Sequence, residues 1–173
     1  MTDHRPRFLM AAALLAASLA SGCAAVAEGK AAPPVRGSGW LPSAGPADDA
    51  VAGKWGLIVF FRAGSQSCAE GMPAVLALKR DFGAKGLVVV GVTPSDAEAT
   101  TEFAKDNGID FPVLTDAQHV VDSYDIPEVN ELHTYLVNPP GIVIVQGDLE
   151  KARELLGKYM APPAASTAPE KKP

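Results

Sequence analysis

Runs of apolar residues along the chain alternate between two kinds. Leu57 to Phe61 is five consecutive apolar residues, and Leu87 to Val92 is a second such run broken only by Gly91. Uninterrupted runs of this length predict strands buried on both faces, the form taken by central strands of a parallel sheet covered by helices. Between them, Val75, Leu78 and Phe82 recur at helical spacing with Met72 and Leu76 beside them. This predicts a helix over Cys68 to Phe82 that faces the sheet, with Pro73 inside it as a site of kinking. Two buried strands joined through a helix form a βαβ unit, so they should run parallel.

The pattern continues in shorter pieces. Ser95-Asp96-Ala97-Glu98 has the form of a capping box and predicts a helix running to Asp106 and stopping at Asn107-Gly108. Phe111 to Leu114 reads as a short strand, placed at an edge or a strand start by Pro112. Asp116 to Tyr124 reads as a short helix. Thr134 to Asn138 and Ile142 to Gln146, joined through Pro139-Pro140-Gly141, read as an antiparallel hairpin. Asp148 then opens a last helix, with Leu149, Ala152, Leu155, Leu156 and Tyr159 on one side.

Composition changes the picture mainly at the ends. The first residues carry Arg5 and Arg7, then an apolar run from Phe8 to Ala20 too short for a stable bilayer span, then Ser21-Gly22-Cys23. This is the form of a secretory signal over residues 1–22. The small residues before Cys23 resemble the lipobox of bacterial lipoproteins. That resemblance implies cleavage after Gly22, lipid on Cys23 and a membrane-anchored protein of the bacterial cell envelope. An ordinary signal peptide cut near the same place is the alternative. Ala24 stands where an aspartate would favour inner-membrane retention, which points to the periplasmic face of the outer membrane in a cell that has one.

Residues 23–50 are rich in Ala, Gly, Pro and Ser, and read as a flexible tether spanning roughly 25–30 Å; Trp40 and Leu41 are expected to tuck back onto the domain. Residues 51–160 form one α/β domain, and residues 161–173 a disordered tail. The net charge of −5 carries no nucleic-acid footprint. His119 and His133 have no ligand spacing between them, so no metal or other cofactor is expected.

Candidate chemistry gathers where the first strand turns into its helix. Gly64, Ser65, Gln66 and Ser67 supply turn residues and capping oxygens, and Cys68 follows at the helix start, where unpaired amides and the helix dipole favour negative charge. Once Cys23 carries lipid, Cys68 is the one remaining thiol of the two cysteines.

Four segments then stand in a familiar order: FFRAGSQSCAEGMP, LVVVGVT, GIDFPVLTD and TYLVNPPG. Residues 57–147 resemble the redoxin superfamily, which includes both membrane-anchored thiol-disulfide oxidoreductases of the TlpA/ResA type and the AhpC/TSA peroxiredoxins. The resemblance implies a thioredoxin-like fold, with a central mixed sheet and helices on both faces. Against the oxidoreductase pattern W-C-x-x-C with E-x-P, Gly64 replaces the tryptophan, Ser65 the attacking cysteine and Gly71 the glutamate, while Cys68 keeps the resolving position. Against the peroxiredoxin pattern P-x-x-x-T/S-x-x-C, Ser65 and Cys68 fit, Phe61 replaces the proline, and the arginine before TYLV is missing. Leu132 stands about where thioredoxin-like proteins carry a cis-proline.

Two readings follow from the resemblance. In one, Cys68 is catalytic and Ser65 assists it, with Arg62, Gln66 and Ser67 in support, in reducing a peroxide or exchanging with a partner disulfide; an external thiol reductant or partner protein is then required. In the other, the fold has lost catalysis and serves as a protein-binding module.

Overall fold

The computed structural model describes residues 26–41, 45 and 48–160. The expected signal segment, Cys23 as the expected lipidation site and the expected C-terminal tail lie outside the described residues.

Six strands form one mixed sheet in the order β1-β4-β3-β2-β5-β6. These are β1 Trp40–Leu41, β2 Trp55–Phe60, β3 Leu87–Val92, β4 Val113–Leu114, β5 His133–Val137 and β6 Val143–Gln146. The helices are α1 Gln66–Phe82, α2 Ala97–Asp106, α3 Gln118–Ser123 and α4 Leu149–Tyr159. β2 and β3 pair in parallel from Trp55↔Leu87 to Phe60↔Val92, as the βαβ pattern requires. β5 runs antiparallel to β2, and the hairpin of β5 and β6 closes that side of the sheet.

Each face of the sheet is covered. On one, Leu57, Val59 and Val89 pack with Met72, Val75 and Leu78 of α1, Phe103 of α2, and Ala152 and Leu156 of α4. On the other, Ile58, Phe60, Val90 and Tyr135 pack with Val120, Val121 and Tyr124 of α3 and with Val26, Val35 and Trp40. Alternate residues of β2 therefore feed opposite cores, which is why its sequence shows no polar positions.

Val26, Val35 and Trp40 correct one expectation: residues 26–41 are not a free tether. Ala31 bridges to Ile142 beside β6, Val35 is fully buried, and β1 pairs antiparallel with β4. Glu28 pairs with Lys151 at 2.9 Å, and the Tyr124 hydroxyl donates to the carbonyl of Pro33 at 2.8 Å. The N-terminal segment thus covers both sheet edges, whose open backbone groups would otherwise need water. Trp40 and Leu41 do tuck back, as strand β1.

Three helix starts also differ from expectation, and one of these is α3, which begins at Gln118 rather than at Asp116, whose φ of +52° is not helical. α1 begins at Gln66 rather than Cys68, because Ser65 is its N-cap, with extended backbone at φ −79° and ψ 121°. α2 is capped by Asp96, whose Oδ1 accepts from Ala99 N–H at 2.8 Å, and not by Ser95.

Candidate functional site

Chain direction puts the C-terminal ends of β2, β3 and β4 together with the start of β5, so the loop after β2 sits where open α/β sheets place their sites. After Phe60 the ladder extends one more bond, from Phe61 N–H to Val92 C=O at 3.2 Å. The chain then turns tightly, with Ser65 N–H donating to Arg62 C=O at 3.2 Å and Gly64 at φ +82°, a conformation that suits glycine. Ser95, freed from capping α2, accepts from Ala63 N–H at 3.1 Å and ties this loop to the β3–α2 turn.

Ser65 joins two segments. Its Oγ accepts from Cys68 N–H at 3.4 Å and donates to Asn130 C=O at 2.7 Å. The single hydroxyl proton is therefore committed to Asn130, leaving lone-pair capacity only. One turn later, Gly71 meets Leu132: a Cβ built on Gly71 would stand 2.8 Å from Leu132 Cδ2. Residues 130–132 thus lie against the first turns of α1, held by a hydroxyl at one end and an apolar contact at the other.

Cys68 is the third residue of α1, and its side chain points inward. Positions 68, 72, 75, 78 and 82 form the buried stripe of the helix, so the cysteine shares the core face with Met72, Val75, Leu78 and Phe82. Its exposure is 0% and it belongs to the same apolar cluster as Leu57, Val59 and Phe61. Among the described residues no hydrogen bond reaches its sulfur, and no second thiol is present.

The other expected site residues do not converge on that sulfur. Arg62 and Ser67 are exposed, and Gln66 donates along the helix surface to Glu70 Oε1 at 2.9 Å. Within the predicted group, Ser65 meets Cys68 through the cysteine's amide and Arg62 through its backbone carbonyl, and neither contact reaches the sulfur. Asn130 and Ser95 complete the loop without having been singled out from the sequence. Asn130 acts through its backbone carbonyl, which no side chain advertises, whereas Ser95 carried a signal in standing next to a second capping residue.

A cleft of about 210 Å³ runs beside the loop, lined by Ala63, Gly64, Ala99, Glu102, Phe103 and Asp106. Cys68 does not line it. Among the described residues no group of three or more His, Cys, Asp or Glu side chains could hold a metal ion, and no helix is long and apolar enough to cross a membrane. Chemically, the arrangement keeps the thiol of Cys68 away from solvent. A disulfide cannot form at Ser65, because a hydroxyl has no sulfur to contribute.

Comparison with known proteins agrees with this architecture. The thioredoxin domain of a thiol-disulfide oxidoreductase from Bacteroides vulgatus superposes with a TM-score of 0.66 at 22% identity, covering 76% of this chain and 99% of that one. A thiol:disulfide interchange protein from Bacteroides sp. gives 0.67 at 23% identity, covering 82% and 94%. AhpC of Mycobacterium tuberculosis gives 0.60 at 13% identity, covering 80% and 95%. No curated protein matches the chain. The AhpC/TSA family model matches residues 46–146, which is more than half of the sequence. With its mixed sheet, its helix-capping loop after β2 and this match, the chain belongs to the AhpC/TSA family of the thioredoxin-like redoxin superfamily.

Proposed function

We propose that this protein is a lipid-anchored redoxin-family module of the bacterial cell envelope. It engages a partner protein through the face built from Ser65, Gln66 and residues 130–132, and does not exchange disulfides within its own chain. The observation that carries this reading is the complete burial of Cys68 beneath a loop whose attacking position holds Ser65. A dithiol oxidoreductase needs one exposed thiolate to attack and a second thiol to resolve. Neither requirement is met by the described residues. Lipidation of Cys23, with the outer membrane as the address, supplies the envelope location.

A second reading is favoured by one specific observation. Cys68 is the third residue of α1, and its amide donates to the same Ser65 hydroxyl that holds Asn130. Opening that contact would bring the thiol to the surface for one-cysteine chemistry, either reduction of a peroxide to water with formation of a sulfenic acid or a mixed disulfide with a partner. An external thiol would then restore it.

Turnover separates the two. The mature chain, supplied with a dithiol reductant, is assayed for peroxide consumption and for reduction of a protein disulfide, alongside Cys68→Ala. Equal background rates for both proteins are expected. Turnover that depends on Cys68 would replace the binding reading with the one-cysteine reading.

A further inference from the structure

The N-terminal segment reaches the domain at a defined place. Residues 28–32 run alongside the start of β6: Ala32 N–H donates to Gly141 C=O at 2.8 Å, Lys30 C=O accepts from Val143 N–H at 2.9 Å, and Gly29 N–H donates to Val143 C=O at 2.8 Å. Going back toward the N-terminus, the partners move forward along β6. The Glu28 carboxylate pairs with Lys151, beyond the end of β6, and Val26 is 6% exposed in the core.

That end of β6 is the end that carries the candidate site. Gln146 stands opposite Tyr135, Gly147 N–H donates to Thr134 C=O, and His133 stands opposite Phe60, the last residue of β2 before the Ser65 loop. The N-terminal segment, β6, β5 and β2 are neighbours in that order, so three strand spacings, about 14 Å, separate the packed segment from β2.

Cys23 is three residues from Val26, and three residues of fully extended chain span at most about 11 Å. A tether of the length expected from composition would have left the domain free to turn. A leash this short does not.

We infer that the anchor holds the Ser65–Asn130–Leu132 face down toward the lipid surface, so that its occupant is a membrane-embedded protein whose docking segment lies close to the bilayer. This rests on the lipidation of Cys23 proposed above. The leash and the strand spacings together keep the end of β2 within roughly 25 Å of the anchor, and the face lies in the loops just beyond that end. Lys54, which precedes β2, lies at the opposite end of the sheet, about 20 Å further along the strand direction.

The full-length lipidated chain is reconstituted in phosphatidylethanolamine–phosphatidylglycerol vesicles and checked by flotation and by mass for the lipid. A fluorophore is placed on Glu131→Cys or on Lys54→Cys, both exposed positions, with labelling of the parent chain subtracted for Cys68. Nitroxide-headgroup lipids should quench the label at 131 several-fold more than the label at 54. Inserting a 20-residue Gly/Ser stretch between Ala25 and Val26, with a reach of roughly 25 Å, should abolish that difference. A chain that floats but is quenched equally at both sites, or more at 54, overturns the orientation while leaving lipidation standing. A chain that carries no lipid and does not float overturns the anchor and, with it, this inference. In cells, a cleavable photo-crosslinker at Glu131 should capture a protein that resists alkaline extraction from membranes once released. A captured protein that alkali extracts would overturn the class of partner.

Discussion

Replacing Cys68 by serine and, separately, by alanine distinguishes a core sulfur from a working one. The side chain is fully buried, on the inner stripe of α1, with no hydrogen bond to its sulfur among the described residues. Alanine removes about one methylene-sized group and leaves a small cavity, which costs about 1–2 kcal/mol. Serine keeps the shape but places a hydroxyl in hydrocarbon; an unsatisfied buried hydroxyl adds about 1–3 kcal/mol. Serine should therefore be the worse substitution, with a Tm lower than the parent by roughly 10 °C against roughly 5 °C for alanine. Thermal melts followed by circular dichroism measure both.

The order of the two substitutions is the sensitive quantity. A hydrated thiol held for chemistry would accept serine at no cost, since water would satisfy the hydroxyl. A Cys68→Ser protein as stable as the parent, or more stable than Cys68→Ala, would refute the burial argument. Thiol labelling gives an independent check, because a sealed sulfur reacts only from an opened state. Each 1.4 kcal/mol of opening free energy slows labelling about tenfold relative to the urea-unfolded chain. Labelling of the native protein at the unfolded rate would refute it again.

Tyr124→Phe removes the hydroxyl bonded to Pro33 and should cost about 1 kcal/mol at neutral pH, read from urea midpoints. Burial, with the charge of Asp49 adding to it, raises the Tyr124 phenol above its ordinary value of 10.0. Its share of stability is therefore complete below pH 10.0 and falls away above it, so the phenylalanine variant should lose less stability between neutral pH and pH 11 than the parent does. The hydrogen bond from Lys151 holds the Glu28 carboxyl below its ordinary 4.5, so that contribution is present above pH 4.5 and is lost as acid protonates the folded carboxylate. The protection factors of the Gly29 and Ala32 amides, each taken relative to the unfolded chain at the same pH, should fall there in the parent and already at neutral pH in Lys151→Ala. Gly91→Ala should destabilise by about 1–3 kcal/mol, because its Cβ would meet Phe61 and Val113 at 3.0 Å in a closed core. Gly71→Ala should be close to neutral, since a Leu132 methyl can swing aside, whereas Gly71→Glu should displace residues 130–132 and shift their backbone amide resonances.

The sheet was legible because its evidence is local. LIVFF and LVVVGV are each buried on both sides, and the helix between them fixed their parallel pairing. The burial of Cys68 is legible too, since positions 68, 72, 75, 78 and 82 continue one stripe, although a helix started at Cys68 makes the cysteine look terminal rather than internal. The packing of residues 26–41 had no such signal. Val26, Val35 and Trp40 follow no period, and they are held by edges of the sheet more than 70 residues away in sequence. The Ser65–Asn130 bond is hidden for the same reason, since it is long-range and ends on a main-chain oxygen.

The departures from the family pattern at Gly71 and Leu132 are best understood as one exchange. The Leu132 methyl, 2.8 Å from where a Cβ at 71 would stand, can give way to that single carbon, but the longer side chain of a glutamate would have to enter the space that the leucine fills. Ser65 completes the substitution: where the oxidoreductase pattern has an attacking thiol, this chain has a hydroxyl that caps α1 and fastens residue 130. Each change alone would be a loss of a catalytic feature. Together they make contacts that hold the two loops to each other, which a merely decayed active site would have no reason to acquire. A face stabilised in this way suits recognition, where loop order lowers the entropic cost of docking, and the buried sulfur then serves as one more packing atom beneath it.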